Sequence, residues 1–192
     1  MNGIYTGILW LLYFGLHSAF AMERVKSFFA RRFPYMAKWY RQIYIIFAVV
    51  NFLLLARLHF VVPSPDMFAS TFWTKLCAGI LGIQAIISMY LSIRQSGWSR
   101  LFLSAAPNPA DTPLLKNGIY ATIRHPMYLA ILLGVVGLFL YFPSGKNAMF
   151  MLTTSFYLVI GSMLEEQKLI GIYEAEYLAY RQNTRMFIPF LW

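Results

Sequence analysis

The chain is 192 residues long, 59% hydrophobic and only 12% charged, about half the charge of an ordinary soluble domain. The length suits one domain, 1–192, and the composition suits a membrane protein. A net charge of +9 in a soluble chain points to nucleic acid; here the basic residues fall between apolar runs, as in loops at a membrane surface, which excludes that reading.

Five apolar runs approach the ~20 residues that cross a bilayer as a helix. The first, 3–22, ends in Ala19-Phe20-Ala21, which resembles a leader cleavage site. No basic segment precedes it and its apolar stretch is too long for a leader, so it is expected to stay as a span. His17 lies near its end, where a helix–helix hydrogen bond or the wall of an acceptor site would both account for it. A basic loop, 23–41, leads to the second run, 42–62, with His59 expected at the membrane interface. The third run, 72–93, carries Cys77, the single cysteine. One cysteine excludes an internal disulfide and any CxxC metal or haem motif, so no metal site is expected. Its ordinary role is that of a small buried hydrophobe.

The segment 94–125 holds Trp98 and then "SAAPNPADTP", whose three prolines at 104–113 break regular structure. The fourth run, 126–142, is short for a bilayer and the fifth covers 147–164. Gly79, Gly82, Ala130, Gly134 and Gly137 are small residues suited to close helix packing. No internal repeat or low-complexity tract is visible. The expected fold is therefore all-α: three N-terminal spans over 1–93, then over 94–192 a loop, a helical hairpin and a C-terminal helix.

Lys and Arg set the expected topology. Arg24, Lys26, Arg31, Arg32, Lys38 and Arg41 share the first loop; Arg94, Arg100, Lys116 and Arg124 share the third; Lys168, Arg181 and Arg185 follow the last span. Only Arg57, Lys75 and Lys146 fall toward the other side. The positive-inside rule then puts the N-terminus outside and the C-terminus in the cytoplasm, and a bacterial inner membrane is the expected location.

The stretch "NGIYATIRHPMYLA" (117–130) places a cation and an imidazole at the lip of the fourth span. Pro126 suits the first helical position, where its missing N–H costs nothing. The free N–H groups of that helix end, with Arg124, His125 and Tyr128, make a candidate anion pocket. Glu165 and Glu166 end the fifth apolar run, and carboxylates at that depth are functional candidates. If the helix continues, Glu166–Ile170 and Tyr173–Tyr177 are i,i+4 neighbours on it. A ligand facing both elements would carry an anion and a cation.

Together these elements resemble the isoprenylcysteine carboxyl methyltransferase and phospholipid methyltransferase superfamily of membrane enzymes. The resemblance rests on Gly118, Ile119, Tyr120, Arg124, His125, Pro126 and Tyr128, then Glu165 and Glu166, then Tyr177, Tyr180 and Pro189. The N-terminal half, with "LHSAFA", "KSFFARRFP" and "RQIY", is more weakly similar to the methanethiol S-methyltransferase branch. The resemblance implies S-adenosyl-L-methionine as methyl donor, a cytoplasmic cofactor pocket, and Leu114, Leu115, Tyr120, His125, Pro126, Met127, Tyr128 and Glu165 as its binding residues. Arg124, His125 and Glu165 are the implied catalytic set, and His17, Trp98 and Glu166 the substrate-side candidates. No glycine-rich loop after a strand exists, so this is not a Rossmann methyltransferase.

One departure bears on the acceptor. An arginine that engages substrate in the isoprenylcysteine enzymes, one turn before the first Glu, is replaced by Gly161. A small or lipophilic acceptor, foremost a thiol, is expected, with a prenylcysteine carboxylate or lipid amine as alternatives. A NADPH-dependent reductase akin to the sterol reductases, or a non-catalytic membrane sensor, are the rival classes.

Overall fold

The computed structural model describes residues 3–97 and 113–187; Trp98, Arg100 and Pro189 lie outside them. The helices are α1 (Gly3–Ala21), α2 (Glu23–Arg32), α3 (Tyr40–Val61), α4 (Phe72–Ser96), α5 (Pro126–Tyr141) and α6 (Gly145–Asn183). Short 3-10 turns cover Pro34–Trp39 and Gly118–Ala121. Among the described residues no strand forms, only isolated bridges.

Four helical stretches, Gly3–Ala21, Pro34–Val61, Phe72–Ser96 and Gly145–Asn183, are long and apolar enough to cross a membrane. The protein is an all-α, polytopic membrane protein. Helix α5 is the short one; its 16 residues rise about 24 Å, less than the ~30 Å of a hydrocarbon core. The 23–41 segment is not simply a loop. Its α2 turns Phe28 outward and carries Arg31 and Arg32 in its last turn, where cations suit the helix dipole.

Two tight seams hold the bundle. Along α1 and α6, Gly3 lies so close to the Gly145 carbonyl that a Cβ would sit 2.6 Å from its oxygen. Small residues allow such backbone approach where lipid gives helices no hydrophobic drive to associate. Trp10, 1% exposed, packs on Phe150 at 4.3 Å between centroids. Along α4 and α5, Gly137 faces the Ala78 carbonyl and the Ser88 hydroxyl donates to the Pro126 carbonyl at 2.8 Å. Gly79, Gly82 and Gly134 do not share this role, since a Cβ at each would meet open space. Cys77 is exposed on α4 rather than buried.

The end of the bundle away from Arg124 is tied by a polar knot. His59, in the last turn of α3, is buried within the protein at 3% exposure: Trp10 Nε1 donates to its Nδ1 at 3.3 Å and its Nε2 lies 2.7 Å from Asn147 Oδ1. Lys146 Nζ donates to the His59 and Val62 carbonyls, two of the acceptors left open where α3 ends.

Helix α6 does continue past the glutamates, but it breaks at Glu174, whose φ of 46° is left-handed. The break destroys the expected Tyr173–Tyr177 helical spacing. On a straight helix Glu166 and Arg181 would stand about 22 Å apart; here Arg181 Nε and Glu166 Oε2 are 3.3 Å apart. The last part of α6 thus folds back over the Arg124 end of the bundle.

Candidate functional site

Three elements meet at that end: the tip of α4, the 113–125 segment, and both arms of α6. Gln95 on α4 fixes the segment. Its Nε2 donates to the Asn117 carbonyl at 3.1 Å and its Oε1 accepts from Ile119 N–H at 3.0 Å. Gly118, with φ of 60°, lies directly against this amide, and a Cβ there would overlap the Gln95 side chain. The left-handed backbone favours glycine, and a Cβ would also push the Gln95 amide out of its two hydrogen bonds. Tyr180 on the folded-back arm donates to the Tyr120 carbonyl at 2.6 Å, and the Tyr120 and Ser92 hydroxyls are 3.0 Å apart. Lys116 pairs with Glu176 at 2.6 Å. Arg124 and His125 then give their backbone N–H groups to the Arg185 and Met186 carbonyls.

These contacts enclose a cavity of about 250 Å³, lined by Ser96, Pro113, Leu114, Leu115, Tyr120, Arg124, His125, Met127, Glu165, Leu169, Tyr173, Tyr177 and Tyr180. Of the residues named from the sequence, Leu114, Leu115, Tyr120, Arg124, His125, Met127 and Glu165 are gathered here. Pro126, fully buried, starts α5 directly beneath. Tyr128 stands behind His125, stacked on it at 5.4 Å and hydrogen-bonded to Glu165. Ser96 was not singled out from the sequence; Leu169, Tyr173 and Tyr177 were visible only as helix neighbours, and Tyr177 and Tyr180 as a motif.

His125 lies between the two glutamates. Its Nδ1 is 3.5 Å from Glu165 Oε2, and its Nε2 is 3.3 Å from Glu166 Oε1. Burial pushes the imidazole down, but the hydrogen bonds and charges of Glu165 and Glu166 push it up by more, and it titrates above its ordinary 6.5. The glutamates differ in surroundings. Glu166 is buried and saturated: Arg124 Nε reaches its Oε1 at 2.6 Å and Arg181 reaches its other oxygen. Arg124 is itself committed, with Nη1 donating to the Arg181 and Thr184 carbonyls. The Glu165 side chain keeps 47% exposure and faces the cavity. Glu166, a substrate-side candidate from the sequence, instead lines a different cavity with Arg181 and Arg185.

His17 is also elsewhere. It bonds the Tyr44 hydroxyl at 3.0 Å and lines an apolar cavity of about 310 Å³ between α1 and α3.

The profile of the phospholipid methyltransferases matches residues 71–176, which include α4, the 113–125 segment, α5 and the glutamate pair. The chain belongs to this family. It is 27% identical over 137 residues to the protein-S-isoprenylcysteine O-methyltransferase of Saccharomyces cerevisiae, an alignment covering 69% of this chain and 57% of the yeast protein. It is 27% identical over 195 residues to methanethiol S-methyltransferase 1 of Bradyrhizobium diazoefficiens, covering 95% of this chain and 65% of the relative. To the methanethiol S-methyltransferase of Pseudomonas deceptionensis it is 37% identical over 85 residues, 43% of this chain and 31% of the relative. The chain thus spans less than two thirds of each of these relatives. No solved structure matches it. The family match includes Lys116, Arg124, His125, Glu165, Glu166 and Glu176, while Arg181, which pairs with Glu166, lies beyond it.

Proposed function

We propose that this protein is an integral membrane methyltransferase that uses S-adenosyl-L-methionine and acts on a small or lipophilic acceptor, foremost a thiol. The carrying observation is a pair of buried hydroxyl groups, Ser96 Oγ and Tyr177 Oη, that lack a hydrogen-bond partner among the described residues. Both residues line the cavity that Glu165 faces. Buried polar atoms without partners are costly, and a polar ligand in the cavity satisfies them.

The donor set fits such a cofactor. Glu165 offers a carboxylate to an ammonium or sulfonium, the two hydroxyls offer hydrogen bonds, and Leu114, Leu115 and Met127 offer apolar walls. When bound, S-adenosyl-L-methionine supplies a methyl group on a sulfonium centre. The chain's own work is to orient the reactants and exclude water. His125 is held between Glu165 and Glu166, which raise its pKa, and this placement suits it to orienting Glu165. Arg124 and Glu166 fix the backbone around the pocket without entering the reaction.

A thiol acceptor reacts as the thiolate. The acceptor reading rests on Gly161. The nearest atoms to a Cβ there are Tyr128 Cε2 and Oη at 4.0 Å, and Gly161 itself carries no cation at the position where the isoprenylcysteine enzymes have an arginine. An acceptor carboxylate finds no cation from that position, which favours an acceptor without one; a thiol gives its proton to solvent before it attacks the methyl carbon. The match to two methanethiol S-methyltransferases supports the same choice.

The basic loops support a pocket on the cytoplasmic side with the N-terminus outside, and the proposed location is a bacterial inner membrane. Turnover of detergent-purified protein with S-adenosyl-L-methionine and a panel of alkyl thiols, lipid amines and prenylcysteines tests the reading. Methyl thioether formation is the expected result. Oxidation of NADPH with no methyl transfer in the panel would favour the reductase class.

A further inference from the structure

On the opposite side of Glu166 from the cofactor cavity lies a second one, of about 460 Å³, to which no role has been given. Three guanidinium residues line it, Arg124, Arg181 and Arg185, against one carboxylate, Glu166. Glu166 is already spent on Arg124 and Arg181. Arg124 spends Nη1 on backbone carbonyls. The terminal nitrogens of Arg181 and the whole Arg185 guanidinium have no partner among the described residues. The cavity therefore keeps an excess of positive charge, with N–H donors of Arg181 and Arg185 left over on its lining residues. Met163 and Ile170 form its apolar side.

We propose that this cavity binds a phosphate group. Guanidinium donors match phosphate oxygens in planar, paired hydrogen bonds, which a lone carboxylate neighbour does not satisfy. Basic pockets at the ends of membrane helices are suited to phosphate headgroups, whose chains continue along the apolar side. The volume exceeds that of one phosphate ion and leaves space for the glycerol of a phosphodiester. A free phosphate ester uses the same donors, and the two sources are separable by experiment. The proposal does not rest on methyl transfer, and its test contains no methyl donor.

The test titrates the full chain, in uncharged detergent, with dihexanoyl-phosphatidylglycerol, dihexanoyl-phosphatidylcholine and inorganic phosphate, followed by calorimetry. Phosphatidylglycerol is expected to bind at least about tenfold more tightly than phosphatidylcholine, whose choline cation meets the excess positive charge. Inorganic phosphate binding as tightly as phosphatidylglycerol would support the site and assign it to a free anion. Arg181→Gln and Arg185→Gln are each expected to weaken the anion about tenfold, as loss of a charge-assisted hydrogen bond does. Arg185→Gln decides, because that guanidinium supports no described contact, and thermal unfolding confirms that the variant is folded. Arg24→Gln, on α2, serves as the remote control. Absence of binding by both anions to folded wild-type protein, or binding that Arg185→Gln leaves unchanged, would overturn the proposal.

Discussion

Glu165 and Glu166 are neighbours in sequence and face different cavities. Glu165 looks into the pocket of Ser96, Leu114 and Tyr177, while Glu166 is sealed between Arg124, His125 and Arg181. Adjacent helical positions point about 100° apart, so Glu165 stays half-exposed on a cavity while Glu166 is buried in ion pairs. Their substitutions should therefore fail in different ways.

Glu166→Gln should act on stability. It keeps the shape but leaves Arg124, whose side chain is 9% exposed, without its counter-charge. Removing one partner of a buried ion pair costs about 3–5 kcal/mol. Thermal unfolding in detergent should show a large fall in the midpoint. A midpoint equal to that of wild type would show that the network carries no structural load.

His125 gives a pH dependence of defined sign. Its pKa in the folded state is raised above the ordinary 6.5, so the folded protein holds this proton more tightly than the unfolded chain. The stabilisation is complete below about 6.5 and is lost as pH rises through the folded value. Unfolding midpoints taken from pH 6 upward should fall across that window. The fall should shrink in His125→Gln. An identical profile in the variant would show that another group is responsible.

Gly118→Ala should disrupt the 113–125 segment in two separable ways. A left-handed backbone costs an alanine about 1–2 kcal/mol, and the new Cβ strikes Gln95. Pairing Gly118→Ala with Gln95→Ala removes the clash, yet the backbone cost should remain. Full recovery of the unfolding midpoint in the double variant would contradict the assigned φ of 60°.

Much of this was readable from the sequence because its signals are local. The five apolar runs correspond to α1, α3, α4, α5 and the first half of α6, since bilayer length and hydropathy fix them. Pro126 marked the start of α5 for a similar reason. The fold-back at Glu174 left no such signal. "GIYEAEYLAY" holds no proline, and position 174 is a good helix former. The bend is paired with tertiary contacts distant in sequence: Arg181 with Glu166, Glu176 with Lys116, and Tyr180 with Tyr120. Ser96 was silent for the same reason, because a serine at a helix end matters only through what surrounds it. Likewise the sequence shows that Glu165 and Glu166 diverge, but the packing of Arg124 and Arg181 decides which one is buried.

The orientation proposed from the basic loops is open to labelling. With Cys77 replaced by alanine, a single cysteine introduced at Asp66, near the turn between α3 and α4, should react with an impermeant maleimide from outside intact cells. Labelling of that position only after the cytoplasmic face is opened would reverse the topology and move the pocket to the other side.

The most direct test of the central claim is calorimetric titration of S-adenosylhomocysteine and S-adenosyl-L-methionine into purified wild type, Glu165→Gln and Tyr177→Phe. Both ligands should bind wild type. Loss of a charge-assisted hydrogen bond of about 1.5–3 kcal/mol should weaken binding roughly ten- to a hundredfold in Glu165→Gln. Tyr177→Phe, losing a neutral bond of about 1 kcal/mol, should weaken it several-fold. An equal loss for both ligands in Glu165→Gln points to the shared ammonium, and a larger loss for S-adenosyl-L-methionine points to its sulfonium. Unchanged affinity for both ligands in a folded Glu165→Gln protein would contradict the account.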